Sequence, residues 1–294
     1  MLSRVSQEIL KKRPLLYCAI VNKYTEPDSS SFLASLGCKE IENLDPNLKC
    51  FVSPSAELKI PPSPQKKKLL YYYAVDVASL LPVLALRPDP NDMVLDMCAA
   101  PGGKAFALLQ LLSLGEGGLA LNDPSRSRMA RLKTVVSQCI PRGLKYAVRF
   151  THRRGEDWGR IEPRTYDKVL VDAPCSAERH HIEEWSSIGQ CYPNTEMFGV
   201  LQQKLLLAAL HAVKCGGVAV YSTCTMSVRE NDSVVRNTLQ AAGDQGMKVV
   251  LQQTNCGPLL QYCSITNTDF GKLVSPEPER NCGPTFTSKL QLLS

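Results

Sequence analysis

The 294-residue sequence has no apolar run approaching the roughly 18 residues that a bilayer-spanning helix needs. Its longest candidate, Ala78 to Leu86, is short and holds Pro82, so an integral membrane protein is not expected. No CxxC pair occurs among the 12 cysteines. The four histidines (His152, His180, His181 and His211) show no spacing that would complete a zinc site with a nearby cysteine, so no metal is expected. With no secretory signal and a chain this long, the cysteines do not read as a disulfide scaffold. They fit a reducing compartment, where a few thiols do chemistry and the rest are small buried apolar side chains. No internal repeat is present.

What is present is the composition of a soluble globular protein, with 44% hydrophobic and 21% charged residues. The length suits one large domain with a smaller appendage. The formal net charge is +6, and residues 1–68 carry 11 Lys and Arg against 7 Asp and Glu. This basic segment reads either as a contact for a polyanion such as RNA or as a solvated surface. Within Met1 to Arg13, Arg4, Lys11, Lys12 and Arg13 face only Glu8, which fits a transit peptide or an ordinary first helix.

A proline-rich stretch, Ile60-Pro61-Pro62-Ser63-Pro64, precedes Gln65 and the run Lys66-Lys67-Lys68. Proline clusters resist helix and central strand alike, so a linker or an extended arm is expected here. It divides residues 1–65, a basic RNA-contacting region with its linker, from residues 66–294. In the second part Leu69 to Leu86 reads as a helix. Apolar strand candidates then alternate with amphipathic segments: Met93 to Met97, Leu119 to Asp123, Val148 to His152, Lys168 to Asp172 and Val218 to Tyr221 are strands. The intervening helices run from about Lys104, Ser125 and Phe198. This alternation predicts an α/β fold with a doubly wound, mostly parallel sheet, which binds ligands beyond the carboxyl ends of its strands.

The first of these strands runs into Asp96-Met97-Cys98-Ala99-Ala100-Pro101-Gly102-Gly103-Lys104 and then a helix. Small residues and two glycines allow close backbone approach to a ligand, and the helix N-terminus offers free N–H groups. The loop is neither GxGxxG nor GxxxxGKS/T, which disfavours a nucleotide phosphate. The second strand ends on Asp123, whose carboxylate suits a pair of ribose hydroxyls or caps the following helix. The fourth delivers Asp172-Ala173-Pro174-Cys175-Ser176 and the fifth Ser222-Thr223-Cys224-Thr225. Neighbouring parallel strands would bring both cysteines to one rim, beside the 98–104 loop.

The string CAAPGGK resembles the cofactor motif of the NSUN (Sun-domain) RNA cytosine-C5 methyltransferases, whose bacterial members are the RsmB type. The resemblance extends from about residue 14 to the end. It implies a Rossmann-like domain using S-adenosyl-L-methionine, held by Cys98, Ala99, Ala100, Pro101, Gly102, Gly103, Lys104, Asp123 and Asp172. It also implies that Cys224, of the Thr-Cys motif, attacks carbon 6 of cytosine. Cys175, of the Pro-Cys motif, then assists product release. DNA cytosine methyltransferases instead attack with the Pro-Cys thiol, so the two motifs together favour RNA. Asp172 is placed to hydrogen-bond ring nitrogen 3. One position departs from the pattern: Arg154 stands where the family has an Asp that helps hold the adenine, and Glu156 or Asp157 are the nearest substitutes.

The stretch YYYAVDVASLLPVLAL and the ending Cys282-Gly283-Pro284 resemble the short mitochondrial members of the family. Within these, the transfer-RNA branch acting at the anticodon wobble cytosine looks nearer. The ribosomal-RNA branch, working with a partner protein, and an RNA-binding assembly factor with little catalysis stand as alternatives. A mitochondrial matrix location follows from the same resemblance. Tyr71-Tyr72-Tyr73 read as base-stacking residues or as helix packing, Asp76 resembles a family position near the active site, and His180-His181 read as an RNA contact or a solvated loop.

Overall fold

The computed structural model describes residues 15–26, 29–66, 69–176 and 195–294. The segment Met1 to Arg13, Lys67, Lys68, His180 and His181 lie outside the described residues. The chain opens with β1 (Tyr17–Val21), α1 (Ser30–Ser35), β2 (Lys39–Glu40) and β3 (Cys50–Val52). A two-stranded ribbon of β4 (Gln65–Lys66) and β5 (Leu69–Leu70) follows, then β6 (Tyr72–Asp76). Strands β2, β3, β1 and β6 form an antiparallel sheet in that order, so the chain beyond the proline-rich stretch completes the N-terminal layer. Successive side chains of a strand point to opposite faces. Accordingly Cys18 and Ile20 enter the main core, while Ala19 and Val21 pack with Leu33, Phe51 and Tyr72 under α1.

The helix expected over Leu69 to Leu86 is replaced by three elements. Strand β6 comes first, then a 3-10 turn (Val77–Ser79), and only then α2 (Leu80–Leu86). Aromatic and β-branched residues favour the pleated surface, and β6 finds a partner for every residue, from Tyr17↔Asp76 to Val21↔Tyr72. Asp76 ends the strand by accepting the Ala78 N–H at 2.9 Å. Pro82 then falls in the first turn of α2, where its missing N–H costs little. Two of the three tyrosines are packing residues: Tyr72 is buried with its hydroxyl on Pro61 O at 2.9 Å, and Tyr73 stacks on Phe106.

The main layer is a nine-stranded sheet. Its parallel part comprises β7 (Met93–Asp96), β8 (Gly118–Asn122), β9 (Val148–Thr151), β10 (Tyr166–Asp172) and β11 (Val213–Thr223), ordered β11-β10-β7-β8-β9. Antiparallel strands β12 (Val249–Gln252), β13 (Ser264–Asn267), β14 (Lys272–Ser275) and β15 (Thr285–Leu292) extend it beyond β11. Among the described residues, the further helices are α3 (Gly103–Leu111), α4 (Arg126–Cys139), α5 (Trp158–Ile161), α6 (Thr195–Ala212) and α7 (Asp232–Asp244). Alternate strand residues feed two cores. Val94, Leu121, Leu170 and Val220 pack with α2, α3 and α4, and Leu95, Ala120, Val169 and Ala219 with α6 and α7. The sheet is therefore covered on both faces, which is why its parallel strands read as continuous apolar runs.

Candidate active site

All five parallel strands end at one rim, and the sheet register decides which side chains meet there. Asp172 pairs with Ser222 across β10 and β11, so the segments after them, 173–176 and 224–225, leave the sheet side by side. The Cys175 and Cys224 sulfurs lie 3.0 Å apart, and the Cys224 N–H reaches the Cys175 sulfur at 3.3 Å. Cys224 is exposed and Cys175 half-buried. The hydrogen bond between the Cys175 and Cys224 sulfurs lowers the Cys224 thiol pKa, with help from the Lys104 ammonium, against burial and the negative charge of Asp172, which raise it. The thiolate is the nucleophilic form of cysteine, so this arrangement favours reactivity at Cys224.

Across the rim Lys104 Nζ donates to Asp172 Oδ2 at 2.7 Å. Burial alone would lower the lysine pKa, but the pairing with Asp172 outweighs it and the net shift is upward. Asp96, at the end of β7, is fully buried and was not singled out in the sequence. Burial first, then the negative charge of Asp172, lifts its carboxyl pKa to about 8 against the pull of Lys104. Its signal in the sequence was an acid closing an otherwise apolar strand, Met93-Val94-Leu95-Asp96.

The 98–104 loop is fixed by backbone bonds from both neighbouring strands. Met97 N–H donates to Leu170 O at 2.9 Å and Ala99 N–H to Asn122 O at 2.8 Å. Arg128, from α4, donates to Ala100 O. Gly102 has φ +122, a conformation that favours glycine, and a Cβ there would press on Val135 of α4 at 3.1 Å. Cys98 lies within this loop as a buried residue, and burial holds its thiol well above the ordinary range.

Asp123 tests whether the residues fit a ribose-bearing cofactor. Its Oδ1 accepts the Ser125 N–H at 2.9 Å, while Oδ2 has no hydrogen-bond partner among the described residues. The Arg128 guanidinium lies 3.5 Å from this oxygen, an ion pair that makes no hydrogen bond and leaves the fully buried carboxylate acceptor capacity for a ligand hydroxyl. Next to it Asn122 knots the loop together, donating to Met97 O and Arg153 O, each at 3.0 Å. The remaining acceptor capacity of the Asp123 carboxylate and the helix N-terminus both fit S-adenosylmethionine. At the departing position, Arg154 points outward and pairs with Glu156 at 2.6 Å. Asp157 stands in the same 3-10 turn (Gly155–Asp157).

A second group escaped the sequence reading. Buried Glu230 accepts the Ser176 N–H at 2.9 Å, the Ser176 hydroxyl at 2.6 Å and the Gln202 side-chain amide at 3.0 Å. Gln202 also donates to Pro174 O at 2.9 Å, and the Glu230 carbonyl takes the Tyr221 hydroxyl at 2.6 Å. The carboxylate thus ties the loop carrying Cys175 to the segment carrying Cys224. No local pattern marks it, because its partners lie 28 and 54 positions away. Asp76 holds the Ala78 N–H and, through Oδ2, the Gly283 N–H at 2.9 Å, which makes it a joint between layers. Among the described residues no group of three or more His, Cys, Asp or Glu is arranged to hold a metal, and no helix is long and apolar enough to cross a membrane.

Comparison with known proteins gives the family. The sequence model of the 16S rRNA methyltransferase RsmB/F family matches residues 83–279. The chain is 40% identical over 304 residues to the 5-cytosine rRNA methyltransferase NSUN4 of Bos taurus, covering 98% of this chain and 77% of that one. It is 35% identical over 296 residues to the mitochondrial tRNA (cytosine(34)-C(5))-methyltransferase of Danio rerio, covering 94% and 78%. The crystal structure of NSun6 from Pyrococcus horikoshii with SFG superposes with a TM-score of 0.70 at 18% identity, over 98% of this chain and 94% of that one. The doubly wound fold with S-adenosylmethionine as methyl donor is thereby established, and the chain belongs to the RsmB/F family of RNA cytosine-C5 methyltransferases.

Proposed function

We propose that the chain methylates carbon 5 of a cytosine in ribosomal RNA, with Cys224 as covalent nucleophile and Cys175 as the thiol that assists release. The observation that carries this reading is the pair of sulfurs 3.0 Å apart at the rim that also holds the Lys104–Asp172 pair. Carbon 5 of cytosine is too poor a nucleophile to take a methyl group unaided. Addition of the Cys224 thiolate to carbon 6 makes an enamine and moves electron density onto carbon 5. The contact between the two sulfurs lowers the Cys224 pKa, which favours its thiolate. Asp172 faces ring nitrogen 3, with Lys104 balancing its charge. S-adenosylmethionine, when bound, supplies the electrophilic methyl group. Asp123 would hold its ribose hydroxyls through Oδ2, and Cys98 to Gly103 with the α3 N-terminus would hold its methionine part. Once carbon 5 has lost its proton, Cys175 promotes departure of Cys224 from carbon 6.

Higher identity to the ribosomal-RNA relative over nearly the whole chain supports ribosomal RNA, together with the protein partner that the family resemblance implies. Transfer RNA is the second reading, favoured by the Danio rerio relative. That relative's name also supports a mitochondrial site of action. Trapping tests the cysteine roles. With 5-fluorocytidine RNA, Cys224→Ala is expected to abolish the covalent adduct. Cys175→Ala is expected to accumulate one with ordinary RNA, and an adduct surviving in Cys224→Ala would reverse the assignment. Bisulfite sequencing of mitochondrial ribosomal and transfer RNA, with and without the protein, decides the substrate.

A further inference from the structure

The strongest charge asymmetry of the molecule lies away from the N-terminal segment. Residues 124–155 hold nine Lys and Arg and no Asp or Glu, whereas the rest of the chain holds 25 Lys and Arg against 28 Asp and Glu. The net positive charge of the whole protein therefore resides in this one stretch. It forms α4, a 3-10 segment (Arg142–Ala147), β9 and the turn after it. Strand β9 terminates the sheet, so the stretch builds an outer edge of the molecule. The edge begins and ends at the rim, because α4 leaves after β8 and β9 returns beside it.

The acids that would neutralise this edge are few. Arg149 is held by Glu162, and Arg154 by Glu156. Arg126, Arg142 and Lys145 are exposed and make no ion pair among the described residues. Lys133 lies over the Phe150 ring, on the flank of α4 that faces β9, and Arg126 shares that flank two turns earlier. Beside Lys145 stands Tyr146, 76% exposed, the most exposed large apolar side chain among the described residues. Basic groups on a sheet edge can serve only to deter edge pairing. That explains neither the charges on the helix and the 3-10 segment nor an aromatic ring held out among them. Interleaved cations and an exposed ring suit a nucleic acid, whose phosphates take the cations and whose bases stack on the ring.

We propose that this edge, led by Arg126, Lys133, Arg142, Lys145 and Tyr146, is the docking surface for the RNA backbone flanking the target cytosine. The proposal rests on the RNA-methylating reading above. Arg128 links the two sites physically: its guanidinium spans from α4 to Ala100 O in the cofactor loop, so RNA seated along the edge enters at the rim. On this view α4 supplies a track on the order of 20 Å long, from its 14 residues at about 1.5 Å each.

The test uses the full chain and a fluorescent RNA hairpin with cytosines in its loop, titrated at several salt concentrations. Each neutralised phosphate contact contributes about 0.7 to the slope of log affinity against log salt on single strands. The double variants R126Q/K133Q and R142Q/K145Q are each expected to lower that slope by about 1.4 and to weaken binding roughly tenfold at low salt. Tyr146→Ala is expected to weaken binding without changing the slope. In methyl transfer the doubles should raise KM for RNA while kcat at saturation holds, with thermal midpoints unchanged. K248Q/R280Q, two exposed charges elsewhere, serves as control. Unaltered slopes in both doubles would overturn the proposal, as would retained RNA binding with loss of an acidic protein partner. If the wild type methylates no RNA at all, the functional reading fails instead.

Discussion

Asp96 differs from its neighbours at the rim in having no cation of its own. Lys104 is taken by Asp172, and Asp123 has Arg128 at 3.5 Å, but Asp96 has only the Cys98 N–H at 3.3 Å and an unpartnered second oxygen. Burial thus keeps its pKa near 8, above that of an unfolded aspartate. The sign of the linkage follows. A carboxyl whose folded pKa is raised favours the native state while it stays protonated. That contribution is full below about pH 4 and is lost as pH rises through about 8. Asp96→Asn keeps an acceptor for the Cys98 N–H and removes the titration. Measured by denaturant unfolding without cofactor, the stability difference between variant and wild type should grow from pH 5 to pH 9, with an upper bound of about 5 kcal/mol. Parallel pH curves for the two proteins would dismiss it. At this scale Cys175, Cys224, Asp172 and Asp123 were legible because each closes a strand or follows one directly. Asp96 looked like part of its strand, and the Lys104–Asp172 pair, 68 positions apart, needed the register of the sheet to be seen.

Between elements, the spacing of the two thiols depends on how the ends of β10 and β11 are tied. Glu230 accepts from both the Ser176 amide and the Gln202 side chain, so its carboxylate bridges the end of β10, helix α6 and the turn after β11. Glu230→Ala removes the carboxylate, whereas a Gln could still turn its amide N–H to the Ser176 hydroxyl. The truncation leaves the buried Ser176 N–H without its acceptor, with an expected loss of about 2 kcal/mol in urea unfolding. At equal folded fraction, the rate of adduct formation with 5-fluorocytidine RNA should fall as well. A variant with wild-type stability and rate would show that the bridge does not set the thiol geometry. The parallel strands were readable because both faces are buried, giving short unbroken apolar runs. The antiparallel strands were not, since buried Thr285, Thr287 and Ser288 break up the apolar alternation of Phe286, Leu290 and Leu292 in β15. The helix expected over 69–86 failed because pairing with β1, far away in sequence, decided the conformation of Tyr72–Asp76.

For the molecule as a whole, the N-terminal sheet and the catalytic sheet meet at a small joint. Leu16 N–H donates to Asn281 O at 2.8 Å, and Asp76 receives Gly283 N–H at 2.9 Å just before β15 begins. Cys18, Cys50, Cys263 and Cys282 share one continuous core there, with the Cys263 and Cys282 sulfurs 3.1 Å apart. Asp76 therefore works at the boundary of two layers, each of its oxygens serving one of them. Oδ1 starts the turn into α2, and Oδ2 anchors the strand that pairs with β11. The two substitutions separate these roles. Asp76→Ala loses both bonds, with an expected cost of about 2 kcal/mol. Asp76→Asn can keep the Ala78 bond through its carbonyl but sets an N–H against the Gly283 N–H, so it should lose the inter-layer half alone. Hydrogen exchange reads the difference: Asp76→Asn is expected to speed exchange at Gly283, while the Ala78 amide stays protected. Asp76→Ala should expose both. Equal protection at Gly283 in all three proteins would mean that the shared core, and not this carboxylate, holds the layers together.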